Sequence, residues 1–224
     1  MLYLWDWTII LLIPAVILGI YAQARVSAAF RKWSGVMSRR GLTGAQAAEY
    51  LLRVAGITNV RVEMTQGLLS DHYDPIHRVL RLSPQVYHQP SLAAVGIAAH
   101  ETGHAVQHAQ SYGALALRNA LVPMASMGNL WILLFFVGFL FASPLLQNIG
   151  IAFFSATVFF MLFTLPVEFN ASSRALRMLG ETGILAEDEL PAVRDVLHAA
   201  ALTYVAAALM SILQLLRLLM LRRE

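Results

Sequence analysis

The segment "AAHETGHAVQHAQ", residues 98–110, carries three histidines at four-residue spacing, His100, His104 and His108, with Glu101 beside the first. On an α-helix, residues four apart lie on one face, so His100 and His104 can direct ring nitrogens at a single ion. In an H-E-x-x-H pattern, two imidazoles hold zinc and the carboxylate takes a proton from the water that attacks a carbonyl. The spacing therefore predicts His100 and His104 as metal ligands and Glu101 as the general base.

A third ligand is needed, and the helix geometry argues against His108. It lies eight residues after His100, about 12 Å along a helix axis, which is too far for one ion to bridge. We therefore expect His108 at the surface or behind a ligand. Glu168 is the favoured third ligand because it follows an apolar segment, where an unpaired carboxylate is costly. The alternative is that Glu168 only ends a membrane helix in the headgroup region.

The composition indicates a membrane protein. Of 224 residues, 58% are hydrophobic and 13% are charged, whereas a soluble domain averages roughly 45–50% and about 25%. Cysteine is absent, which excludes disulfides and thiolate ligands and leaves His, Asp and Glu as metal ligands. The net charge of +3 is not gathered into a basic stripe, so we expect no nucleic-acid partner.

The predicted fold is mainly α: a multi-pass helical membrane protein with a zincin-like metalloprotease core and a small β-hairpin. Within the polar part, Thr43 and Gln46 form a capping box for a helix that Gly56 ends. The alternating segments 59–64 and 77–83 predict the hairpin. The motif helix is expected to start near Leu92. The predicted segments are a transmembrane helix at 1–22, a cytoplasmic part with the hairpin and motif helix at 23–119, two transmembrane helices at 120–167 (runs 120–142 and 146–167), a cytoplasmic helix with the third ligand at 168–195, and a C-terminal hydrophobic helix at 196–224.

The distribution of positive charge predicts the orientation in the membrane. Ten of the 16 Lys and Arg residues lie between Arg25 and Arg118, and three more lie in the second polar segment. By the positive-inside rule, both polar segments face the cytoplasm and the N-terminus faces outward. Two crossings after the motif helix then return Glu168 to the face that carries His100. Arg222 and Arg223 conflict with a full crossing by the last helix, so whether that helix spans is left open.

Four segments, "AAHETGHAVQHA", "LSDHYDP", "LRLSP" and "PVEFNASSRAL", resemble the YugP-type neutral zinc metallopeptidases of bacterial membranes over nearly the whole length. The layout is also similar to HtpX and the CAAX prenyl proteases, which are gluzincins with a downstream glutamate ligand. The resemblance implies one Zn²⁺ per chain on His100, His104 and Glu168, with Glu101 as general base. The resemblance also implies a bacterial membrane. Together with the apolar runs and the charge distribution, this predicts a multi-pass protein of the inner membrane with its active site facing the cytoplasm.

One position departs from the HtpX-like pattern. Those enzymes usually place Asp four residues after the ligand glutamate, where this chain has Ser172. A carboxylate that orients a ligand imidazole is therefore missing or supplied by another residue. Asp71, Asp74 and Asn170 are the alternatives that the sequence offers.

The predicted function is a membrane-bound zinc endopeptidase that cuts protein or peptide substrates, including membrane proteins, at the cytoplasmic surface. Membrane lipid is the other expected partner. The alternatives are an intramembrane protease and a catalytically silent metal-binding scaffold. A substrate strand could pair with an edge formed by 59–64 or 77–83, although both segments also fit an ordinary half-buried hairpin. His198, Tyr204 and Arg174 are possible oxyanion-stabilising groups, and the sequence does not choose among them.

Overall fold

The computed structural model describes residues 7–67, 69–126 and 130–222, and it is mainly helical, as predicted, with one small sheet. The helices are α1 (Ile13–Ser34), α2 (Gly44–Val54), α3 (Pro84–His88), α4 (Leu92–Ala109), α5 (Gly113–Ser126), α6 (Leu130–Leu140), α7 (Pro144–Glu181) and α8 (Leu190–Leu221), with a 3-10 turn, Trp7–Leu12, leading into α1. The strands are β1 (Arg61–Met64), β2 (His72–Asp74) and β3 (Val79–Leu82).

The chain divides into two compact units. The first, called the apolar unit, comprises Met1–Ala22, Ala114–Pro166 and Leu202–Glu224. The second, called the mixed unit because it contains the sheet as well as helices, comprises Gln23–Gly113 and Val167–Ala201. Every residue of the candidate site described below belongs to the mixed unit.

Among the described residues, three helical stretches are long and apolar enough to cross a membrane: Trp7–Ser34, Pro144–Glu181 and Leu190–Leu221. The first contains most of the predicted 1–22 crossing, whose initial six residues lie outside the described residues. Its large side chains suit lipid, since Ile10, Ile17 and Ile20 are all more than 60% exposed. These stretches account for the high hydropathy of the chain.

The segment predicted as a crossing at 120–142 contains two shorter helices, α5 and α6, and residues 127–129 between them are outside the description. At 1.5 Å per residue, the 11 residues of α6 extend only about 17 Å, against roughly 30 Å of hydrocarbon. This crossing stays a prediction. The run 146–167 lies within α7, which continues without a break past Glu168 to Glu181. The ligand candidate therefore shares one helix with an apolar segment.

Local sequence signals set the ends of the helices in the mixed unit. Thr43 and Gln46 form the predicted capping box at the start of α2, and Gly56 follows its end with a positive φ of 72°. Ser91 caps α4 by accepting a hydrogen bond from the Ala94 N–H, so α4 begins at Leu92 as predicted. Both caps satisfy backbone donors that a helix leaves unpaired at its first turn.

The predicted hairpin is wrong in its pairing. Strands β1 and β3 are parallel neighbours, with Arg61 opposite Val79, and β2 lies antiparallel on the other side of β3. Parallel neighbours need a connection of about a dozen residues or more, and the chain provides residues 65–78 between the two strands. The turn-rich connection supplies β2, so β3 has two neighbours and buries Val79, Leu80 and Leu82.

Helix α4 lies at the centre of the mixed unit. Its buried faces pack against side chains of α2, α7 and α8 in one hydrophobic cluster, and against β3 in a second. Of its 18 residues, 13 are buried. The other five are Ala109, the exposed last residue, and Ile97, His100, His104 and His108, which follow the helical period and form one stripe. The two motif histidines therefore lie on the accessible stripe of α4, whereas Glu101 is buried.

Candidate metal centre

The structure brings three of the predicted site residues together. The Nε2 atom of His100 lies 3.2 Å from a carboxylate oxygen of Glu168, and that of His104 lies 3.6 Å from the same oxygen. The two imidazole rings are edge-to-face, with centroids 4.8 Å apart. One ligand atom from each residue lies within 4.8 Å of the others. His100 and His104 come from α4 and Glu168 comes from α7.

The close approach of α4 and α7 depends on Gly103, the fourth residue of the motif. A Cβ atom at this position would lie 2.7 Å from the Ala171 carbonyl oxygen and 3.2 Å from its carbonyl carbon. Both contacts are with backbone, which cannot move aside as a flexible side chain can. Because Ala171 follows Glu168 by three residues on α7, the absence of a side chain at Gly103 lets the carboxylate reach the two imidazoles.

Hydrogen bonds on the far side of each ring orient the imidazoles. The Ser172 hydroxyl lies 3.1 Å from His100 Nδ1, and the Gln107 side-chain oxygen lies 3.0 Å from His104 Nδ1. With Nδ1 engaged in both rings, the Nε2 atoms are the ones that face Glu168. These contacts hold the ligands in the manner of groups that support metal-binding histidines in other proteins.

These contacts decide among the alternatives for the missing carboxylate. Asp71 accepts hydrogen bonds from Ser83, and Asp74 accepts hydrogen bonds from the backbone after it and from Arg81. Within the part of the chain that the structure describes, neither bonds His100 or His104. Burial raises the pKa of the Asp71 carboxyl despite the Ser83 hydrogen bonds. Ser172 itself contacts His100. Gln107 was not predicted, because its position three residues after His104 allows the contact between them but nothing in the sequence indicates the α7 groups that hold it.

The site is buried and concentrates negative charge. Glu168 is 3% exposed and Glu101 is 8% exposed. Burial alone would lower the pKa of His104, but the hydrogen bond to Glu168 and the charges of Glu101 and Glu168 outweigh it and raise that pKa. The hydrogen bonds found among the described residues include none to the Glu101 carboxylate. The charge of Glu101 nevertheless acts on His104, so the two side chains are close.

The remaining candidates are not part of the three-residue ligand group found among the described residues. His108 is outside the cluster, and its Nδ1 is 2.8 Å from the hydroxyl of Tyr73 on β2. Arg174 donates hydrogen bonds to Asn170 and Gln110. His198 is exposed on α8, and Tyr204 belongs to the apolar unit. None of these contacts assigns an oxyanion-stabilising role.

The donor set fits zinc. Two imidazole nitrogens and one carboxylate oxygen converge in a site without thiols, which is the ligand set of several catalytic zinc centres that keep a fourth position open. The Glu168 carboxylate is almost fully buried, with His100 Nε2 within hydrogen-bond reach at 3.2 Å and His104 Nε2 slightly farther away at 3.6 Å. A divalent cation among these atoms would neutralise a buried negative charge that is otherwise expensive.

A helix that presents H-E-x-x-H and a second helix that adds a glutamate together define the class of glutamate-completed zinc metallopeptidase sites. The chain belongs to the family described as "Putative neutral zinc metallopeptidase", whose sequence model matches residues 8–223. It is 48% identical over 213 residues, covering 95% of both chains, to the "Putative membrane protease YugP" of Bacillus subtilis (strain 168). No solved structure gives a significant match, so the zincin-like core stays a prediction.

Proposed function

We propose that the chain is a membrane-bound zinc-dependent endopeptidase that hydrolyses peptide bonds at the cytoplasmic membrane surface. The observation that carries this proposal is the convergence of His100, His104 and Glu168, with ligand atoms within 4.8 Å of one another. Membership of a zinc metallopeptidase family and three apolar helices of membrane-crossing length support it.

In this proposal one zinc ion per chain is held by His100, His104 and Glu168. When bound, zinc supplies a Lewis acid that polarises the scissile carbonyl and lowers the pKa of water toward about 7. Glu101 accepts a proton from the attacking water as the water oxygen bonds to the carbonyl carbon. Glu101 then delivers that proton to the amide nitrogen as the C–N bond breaks. A buried Glu101 carboxylate whose charge acts on His104 supports this role.

The sheet supports a peptide substrate bound in an extended conformation. An extended chain gains main-chain hydrogen bonds by adding to the edge of a sheet. Strand β3, one of the two segments predicted for this role, is central and already paired on both sides. Strand β1 is an edge, but β2 is the edge whose Tyr73 contacts His108 on the accessible stripe of α4. We therefore propose β2 as the substrate-binding edge.

Two alternative functions would require different features of the protein. An intramembrane protease needs H-E-x-x-H within a spanning helix, but α4 is not among the three candidate spans found in the described residues. A silent scaffold needs only the ligands, so it gives no reason for the buried Glu101 whose charge acts on His104. Both observations favour an interfacial enzyme.

Zinc analysis combined with a peptide-cleavage assay tests the proposal. We expect the Glu101→Gln variant to keep its zinc and to lose about 10²–10⁴-fold in kcat/KM, the usual contribution of general acid–base catalysis. Glu168→Gln should lose zinc and activity together, and His108→Ala is the matched control that should keep zinc. Full activity in Glu101→Gln, or zinc loss in His108→Ala but not in Glu168→Gln, would overturn the assignment.

The membrane side requires a separate experiment. The wild-type chain has no cysteine, so single cysteines at Ser70 and Gln110 can be labelled selectively with a membrane-impermeant thiol reagent, and the wild type is the blank. A multi-pass protein of the bacterial inner membrane with a cytoplasmic site predicts labelling in inverted vesicles only. Labelling of intact cells would reject the cytoplasmic orientation while leaving the chemistry untouched.

A further inference from the structure

A chain of four side chains connects the surface of the mixed unit to one of the candidate ligands. Arg174 Nε donates to the Asn170 side-chain oxygen at 2.7 Å, and the Gln107 side-chain nitrogen donates to the same oxygen at 2.9 Å. The Gln107 side-chain oxygen in turn lies 3.0 Å from His104 Nδ1. These hydrogen bonds therefore connect Arg174 to Asn170, Asn170 to Gln107, and Gln107 to His104.

Two groups determine the direction of these hydrogen bonds, because one of them can only accept and the other can only donate. Gln107 is fully buried, and its second nitrogen contact, at 2.8 Å, is the backbone carbonyl oxygen of Val167. A carbonyl oxygen can only accept, so the amide nitrogen of Gln107 must face Val167 and the amide oxygen must face His104. At the other end, the Arg174 guanidinium can only donate, so the oxygen of Asn170 must face it.

These two constraints determine which nitrogen of His104 carries a proton. Since the group opposite Nδ1 is an acceptor, a neutral His104 is stabilised with hydrogen on Nδ1 and a free lone pair on Nε2. His100 differs, because the Ser172 hydroxyl near its Nδ1 can either donate or accept. The two candidate ligands are thus supported unequally, and only one has its tautomer imposed by the surrounding structure.

We propose that Gln107 is a positioning residue that holds His104 in the tautomer required for metal binding, and that Asn170 and Arg174 fix the orientation of Gln107. This proposal rests on the proposed function in taking His104 as a zinc ligand. A neutral amide here takes the place of the carboxylate that commonly supports such a histidine. Arg174 is anchored in turn, since it also donates to Gln110 at 2.6 Å.

The dissociation constant for zinc tests the role of Gln107, measured by chelator competition on the full-length protein in detergent. Gln107→Met keeps the length of the side chain and removes its hydrogen bonds, and we expect zinc binding to weaken about 10–100-fold, as when groups behind a ligand are removed. Asn170→Asp should bind zinc close to the wild-type level, because a carboxylate still accepts from Gln107 and Arg174. Gln147→Met, which removes an amide bonded to Gly138 in the apolar unit, is the matched control.

A spectroscopic measurement keeps the proposal open to refutation if Gln107→Met does not fold. In the metal-free wild type labelled with ¹⁵N-histidine, at a pH alkaline enough that His104 is neutral, NMR correlations should show its proton on Nδ1. A neutral His104 with its proton on Nε2 would overturn the proposal, as would unchanged zinc affinity in folded Gln107→Met. If the wild type binds no zinc, or if it binds zinc without His104, the proposed metal site fails instead.

Discussion

Substitution of Gly103 by alanine tests how closely the metal centre depends on the spacing of α4 and α7. The new methyl carbon would lie 2.7 Å from the Ala171 carbonyl oxygen. An ordinary carbon–oxygen contact is about 3.3 Å or longer, so the two helices must separate locally by about 0.6 Å. Glu168 lies on the helix that must move, whereas His100 and His104 lie on the other.

The stability change and the zinc affinity should respond differently. Overpacking costs about 1–3 kcal/mol, while replacing a helical glycine by alanine gains about 1 kcal/mol in helix propensity. The free energy of unfolding should therefore fall by only about 0–2 kcal/mol. Zinc sites, however, tolerate errors of only about 0.2 Å in ligand distance. We therefore expect zinc affinity to fall about 10–100-fold, as for other disturbances of ligand support.

Zinc affinity by chelator competition and thermal unfolding of the zinc-free protein measure the two effects on the same sample. Gly19→Ala is the matched control, because Gly19 is also helical and a Cβ there meets no atom within 4 Å. We expect it to leave zinc affinity unchanged. A Gly103→Ala variant that binds zinc as tightly as the wild type would show that the helix spacing does not set the ligand geometry.

Three further substitutions probe other parts of the mixed unit. Thr43→Ala removes the α2 capping box and should lower the free energy of unfolding by about 1 kcal/mol in chemical denaturation. Hydrogen bonds from the His77 N–H and ring and from Arg81 hold the pKa of Asp74 well below its usual range. The ionised Asp74 therefore stabilises the fold above about pH 4, and this stabilisation is lost as the pH falls further. Asp74→Asn should therefore make unfolding less sensitive to acid below that pH, and an unchanged acid profile would contradict the assignment. Ser172→Asp adds a buried negative charge beside His100, and it should lower the melting temperature of the zinc-free protein and enlarge the increase on zinc addition.

The sequence was informative wherever a short-range spacing determines the outcome. The four-residue spacing of His100 and His104 placed both on one helix face, and the capping box located the start of α2. Glu168 could be selected because a carboxylate after a long apolar run needs a partner. The axial rise of a helix was sufficient to keep His108 out of the cluster, where it bonds Tyr73 instead.

The features that escaped prediction depend on long-range pairing. Alternation in 59–64 and 77–83 indicates strands but contains no information on their relative direction, so a hairpin and a parallel pair with an inserted strand are equally compatible with it. Gln107 was missed for a similar reason. Its role depends on the Val167 carbonyl and Asn170, which are 60 and 63 residues away in the chain and come close only when α4 and α7 pack together.

The charge of the buried site explains why its supporting groups are neutral. In the proposed loaded site, the two positive charges of zinc would balance the carboxylates of Glu101 and Glu168. An aspartate at position 172, as in the HtpX-like pattern, would add a negative charge to the region in which Glu168, at 3% exposure, is already buried. Uncompensated buried charge is expensive. Ser172 and Gln107 avoid that charge, but neutral acceptors bind an imidazole proton less strongly than a carboxylate does. The orientation of the His104 imidazole must then come from the fixed geometry of the hydrogen bonds that run from Arg174 through Asn170 to Gln107.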